Sequence, residues 1–86
     1  MSDIADVLAD RQSVHGDFRD NARISQHLKL FFRAQNSWWE LPEVQKEALD
    51  MIAAKICRIL SGNSHHPDHW LDIAGYASLI VRDLEK

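Results

Sequence analysis

Ile4, Val7 and Leu8, followed by Val14, recur at intervals of three and four residues, the spacing that sets side chains on one side of an α-helix. Ser2 or Asp3 is placed to cap this first helix, and Gly16 to end it. Asp17 follows as the cap of a second helix with Asp20 in its first turn, where the helix dipole favours an anion. Its apolar face is Phe18, Ala22, Ile24, Leu28, Phe31 and Phe32, and it ends near Gln35. Asn36 and Ser37 mark a connection before Trp38 and Trp39. A third helix is predicted from Pro42 to Ser61 with Gly62 as its terminator, and a fourth from Pro67, a first-turn proline, to the C-terminus. No stretch alternates with a period of two, so the fold class is all-α: a compact four-helix domain.

The last two helices are sharply patterned. On the third, Ala48, Leu49, Ile52, Ala53, Ile56, Ile59 and Leu60 share one arc, with Glu43, Glu47, Asp50 and Arg58 roughly opposite. On the fourth, Trp70, Ile73, Ala74, Tyr76, Ala77, Ile80, Val81 and Leu84 form an arc so wide that this helix is expected to be central. Trp70 is then expected in the core, and Gly75 where another helix comes close.

Length and charge narrow the picture. Residues 1–86 make one domain, and a fold this small buries only roughly 60–65% of the surface of its unfolded chain. Self-association, as a homodimer, is therefore expected. Ten Lys and Arg against 13 Asp and Glu leave a charge of −3, which excludes a general nucleic-acid binder. A single cysteine, Cys57, excludes an intrachain disulfide and fits a cytosolic chain. No apolar run approaches ~18 residues, so no membrane span or secretory signal is read.

Several residue groups could carry chemistry. Glu47 and Asp50 on the third helix, with Asp68 and Asp72 on the fourth, could aim carboxylates at one Mg²⁺ if the helices pack antiparallel, or form two solvated acidic faces. His65, His66, Asp68 and His69 offer zinc-ligand types, but His65 and His66 precede Pro67 in a short loop and so form no helical i, i+4 pair with the residues after it; a polar, capping loop is the plainer reading. His15 and His27 read as helix-end and helix-surface residues, and Cys57 as a packed thiol. Trp38 and Trp39, which adjoin a connection and are expected to be at least partly accessible, either lid the core or stack a base or anchor a partner. Arg11, Arg19, Arg23, Lys29 and Arg33 form a cationic face, solvated or anion-binding.

Three segments carry a resemblance: His15-Gly16-Asp17-Phe18, the run from Glu47 to Gly62, and Trp70-Leu71-Asp72-Ile73-Ala74-Gly75-Tyr76-Ala77. Together they resemble a family of small phage and prophage proteins of unassigned function. The two later motifs are similar to those of phage nucleotide-modification-associated domains and, more distantly, of MazG-like all-α nucleotide pyrophosphohydrolases. The first motif more often reads Tyr-Gly-Asp-Phe in that family, and a small polar residue is commoner at position 69. The resemblance implies Mg²⁺ held by Glu47, Asp50 and Asp72 with Asp68 as auxiliary, and phosphate contacts from Lys55 or Arg58. It implies a nucleoside phosphate bound, with hydrolysis as the further step the MazG-like kinship adds, by a dimer in the cytoplasm of a bacterial host. In the MazG-like pattern a carboxylate precedes Asp72 by three residues; here that position is His69. The alternative is a non-enzymatic phage accessory protein that binds and inhibits a host or defence protein through its acidic faces and Trp38/Trp39.

Overall fold

The computed structural model describes residues 3–86, so Ser2, one of the two predicted caps, lies outside the described residues. Four helices follow in order: α1 (Ile4–His15), α2 (Phe18–Arg33), α3 (Glu43–Ser61) and α4 (Pro67–Leu84), with a 3₁₀ turn at Asn36–Glu40. Among the described residues there is no strand. The chain is an all-α, four-helix domain.

Local chemistry sets the boundaries. Asp3 caps α1 by accepting from the Asp6 N–H at 3.0 Å, and Gly16 stops it with φ 87° and ψ 175°, a combination open essentially only to glycine. Asp17 stands at the start of α2 in an extended conformation without a side-chain cap bond. Pro67 occupies the first turn of α4, where the absent N–H costs nothing.

α3 is the hub. It packs against α4 on one side and α2 on another, and α1 touches its C-terminal end; among the described residues α2 and α4 share no extensive contact. Two neighbours on one helix demand two apolar faces, which is why the α3 arc is wide. Ala53 and Cys57, both fully buried, lie on the α3 surface where small side chains let a neighbouring helix approach closely.

Two expectations change places here. Trp38 is buried, stacked on Phe32 with ring centroids 5.6 Å apart, whereas Trp70 is 54% exposed and its indole N–H donates to the Ser64 carbonyl at 2.8 Å. The reason is that α4 has one large neighbour rather than several: on this helix His69, Ile73, Tyr76 and Ile80 are the residues shielded from solvent. Gly75 likewise has nothing within 4 Å of the space a Cβ would fill, so no helix of this chain approaches it.

Candidate functional site

The α1–α2 corner crosses the end of α3 glycine to glycine. A Cβ on Gly62 would lie 2.6 Å from Gly16 N, His15 C and Val14 O, and one on Gly16 would meet the Ser61 backbone. That approach is stitched by hydrogen bonds. The Asn63 N–H donates to the Val14 carbonyl at 3.1 Å, and His69 Nε2 donates to the same oxygen at 3.1 Å. A carbonyl can only accept, so His69 carries its proton on Nε2. The Asn21 amide donates to the His15 carbonyl, and Ser61 Oγ lies 2.9 Å from Asn21 Oδ1 and 2.7 Å from the Cys57 carbonyl, its one proton serving one of them at a time.

Three imidazoles meet beside this crossing. His69, 1% exposed, has its ring centroid 5.1 Å from His15 and 5.0 Å from His66. Desolvation holds the His15 pKa below its usual 6.5, reinforced by the charges of Arg58, the other two imidazoles and Lys55. His15 Nδ1 is buried and has no hydrogen-bond partner among the described residues. Lys55, nearly buried, pairs with Asp72 of α4 at 3.0 Å; that contact keeps the Asp72 carboxyl below the ordinary carboxylate range. Between α1, α2 and α3 runs a groove of about 610 Å³, with Arg11, Arg58 and His15 among its polar walls and Leu8 and Phe18 among its apolar ones. Cys57 lines its floor, and burial pushes its thiol pKa up.

A second cluster lies where α2 turns into α3. Arg33 reaches both oxygens of Asp50, at 2.9 and 3.3 Å, with its guanidinium 4.7 Å from the Trp38 ring centroid. Trp39 is exposed and donates its indole N–H to the Arg33 carbonyl at 3.1 Å. A hollow of about 380 Å³ opens here, lined by Trp39, Lys46 and Glu47 among others.

Of the predicted carboxylates, Glu47 and Asp50 line one hollow, whereas Asp68 and Asp72 lie on α4 and do not join them. Asp50 pairs with Arg33 across to α2, Asp72 pairs with Lys55 across to α3, and Asp68 lies 3.4 Å from His66 Nε2. Asp50 and Lys55 are five residues apart on α3, which turns them about 140° from each other. Glu47 lies about 12 Å further along the axis from Lys55, beside the Trp39 hollow. Among the described residues no group of three or more His, Cys, Asp or Glu could hold a metal ion. Of the two expected phosphate ligands, Arg58 lines the groove while Lys55 is engaged by Asp72.

Buried His69 was not visible as a site residue from its loop setting, although it shares the i, i+4, i+7, i+11 spacing of Ile73, Tyr76 and Ile80. That spacing was the available signal. Among the described residues no helix is long and apolar enough to cross a membrane. Residues 3–83 match a family described as a domain of unknown function, DUF6378. No curated protein and no solved structure matches the chain.

Proposed function

The chain belongs to the DUF6378 family, and on that premise we propose that it binds a nucleoside phosphate in the groove between α1, α2 and α3. The observation that carries this reading is the pairing of two arginines, Arg11 and Arg58, with apolar walls at Leu8 and Phe18 in one groove. Guanidinium groups recognise phosphate oxygens bidentately, and an apolar wall suits the face of a base. A volume of about 610 Å³ also lies within the roughly 300–1,000 Å³ of small-molecule sites. The buried, unpartnered Nδ1 of His15 supplies one further polar atom at that end.

Magnesium is given no shell in this reading, because Asp50 pairs with Arg33 and Asp72 with Lys55, and Glu47 shares a hollow with Asp50 but with neither carboxylate of α4. The reading therefore assigns binding and no hydrolytic step. It keeps the MazG-like, phage-type kinship as its context, with self-association and a cytoplasmic setting in a bacterial host. A second reading, an accessory protein that binds and inhibits a host or defence protein, is favoured by the exposed Trp39 beside its polar hollow.

Calorimetric titration of adenosine, guanosine, cytidine and thymidine mono- and triphosphates, with and without Mg²⁺, tests the proposal. Binding without Mg²⁺ that weakens about tenfold or more in Arg58→Gln supports it. Absence of heat with every nucleotide overturns it in favour of the protein-binding reading.

A further inference from the structure

On α4 the residue after each one packed against α3 is also apolar or small. His69, Ile73, Tyr76 and Ile80 face the chain; Trp70, Ala74, Ala77 and Val81, one step or 100° further round, do not. With Leu84 they make a second stripe at positions 70, 74, 77, 81 and 84, the spacing of a helix–helix seam. Every member is exposed: Trp70 54%, Val81 53% and Leu84 66%, with both alanines open as well. α3 exposes Leu49 and Leu60 as well.

We infer that this seam is the interface between two copies of the chain, packed α4 against α4 antiparallel about a two-fold axis at Ala77. Surface area points to the occupant. A folded monomer of 9.9 kDa is expected to expose about 5,200 Å², and this chain exposes 6498 Å². The radius of gyration is 15.0 Å, against about 12 Å for a compact domain of this length. The surplus, roughly 1,300 Å² per chain, is what a permanent homodimer removes from each partner. The order of side-chain sizes fixes the register. Position 77 is midway between 70 and 84, so an antiparallel pair centred there sets Trp70 against Leu84 of the second copy and Ala74 near its Val81. At the axis, Ala77 meets its own copy, where a small side chain lets two helices approach closely. Large groups thus oppose large at the ends, and small oppose small at the centre, as a self-complementary isologous contact requires.

This gives the self-association named above a surface and leaves the nucleotide groove untouched, since that groove is built from α1, α2 and α3. The test is light scattering on the full chain at micromolar concentration, with cysteine cross-linking beside it. Wild type should give twice the 9.9 kDa chain mass, and Val81→Glu the mass of one chain. Ala77→Cys should form a disulfide-linked dimer on mild oxidation. Leu79→Cys, exposed on the opposite side of α4, should not, and wild type serves as control because Cys57 is buried. Monomeric wild type, or a dimer that Leu79→Cys links and Ala77→Cys does not, overturns the inference. Should Val81→Glu fail to fold, the cross-linking pair still decides. Nucleotide titration of a folded, monomeric Val81→Glu separates the two proposals: retained binding with lost dimerisation leaves each standing on its own.

Discussion

Adding one methyl group to each of the three glycines should produce three different outcomes, because the three occupy physically different places. Gly16→Ala meets two penalties. Its φ of 87° with ψ 175° lies where a Cβ is strained, and the new methyl runs into the Ser61 backbone. Backbone strain of this kind costs about 1–3 kcal/mol and overpacking about 1–3 more, so a loss of about 2–6 kcal/mol is expected. Gly62→Ala keeps only the second penalty: its φ of −122° is ordinary, but all three atoms 2.6 Å from the new Cβ are backbone and cannot swing aside. About 1–3 kcal/mol is expected there. Gly75→Ala meets open space in the middle of α4 and should stabilise by about 0.5–1 kcal/mol through the narrower unfolded ensemble. Urea unfolding followed by circular dichroism, at one fixed protein concentration, reads all three. In thermal melts 1 kcal/mol corresponds to roughly 4–8 °C for a domain of this size. Wild-type midpoints for both Gly16→Ala and Gly62→Ala would refute the tight backbone crossing, and a destabilised Gly75→Ala would show that something packs there after all.

Three further outcomes follow from the same geometry. His15 titrates below its ordinary 6.5 in the folded state, so between its folded and unfolded pKa values the unfolded chain holds more protons; stability should rise with pH through that window and fall as pH drops below about 6.5, a slope that His15→Gln should flatten in pH-resolved denaturation. Trp38→Ala should cost about 3–5 kcal/mol as a buried large aromatic, whereas Trp39→Ala, exposed, should cost under about 1 kcal/mol; equal losses in denaturant titration would contradict the burial described. Cys57, buried and with its thiol pKa raised, should resist a thiol reagent in native buffer and react within the mixing time in denaturant, so fast native labelling would place it elsewhere.

Much of the architecture was legible in the chain because capping chemistry is local. Gly16 and Pro67 announce helix ends by their own backbone preferences, and each stands at the predicted boundary; Gly62 also ends its helix where expected, but with φ −122° and not in the left-handed conformation expected of a terminating glycine. What covers a helix is not local. The arc on α4 correctly marked apolar positions, yet Trp70 was expected inside and Trp38 beside a loop, since a wheel shows direction and not neighbours. The carboxylates failed to converge for the same reason. Spacing of three placed Glu47 and Asp50 on one side of α3, but α2 and α4 lie on different sides of it, so Asp50 found Arg33 and Asp72 found Lys55. His69 hid in a histidine-rich loop although its register with Ile73 and Tyr76 marked it for burial. The clamp of Arg33 on Asp50 beneath Trp38 had no sequence signature beyond a cation near a helix end.

α1 has no buried residue in its twelve-residue length, and its hold on the rest runs through the Gly16–Gly62 crossing and the Val14 carbonyl. Opening free energy should therefore be graded along the chain, with amide hydrogens of α1 exchanging long before those of α3. Because α1 supplies Leu8, Arg11 and His15 to the groove, its local unfolding dismantles that wall without melting the hub. A ligand held there binds only the docked state, so it would slow exchange in a helix that little else in the fold protects.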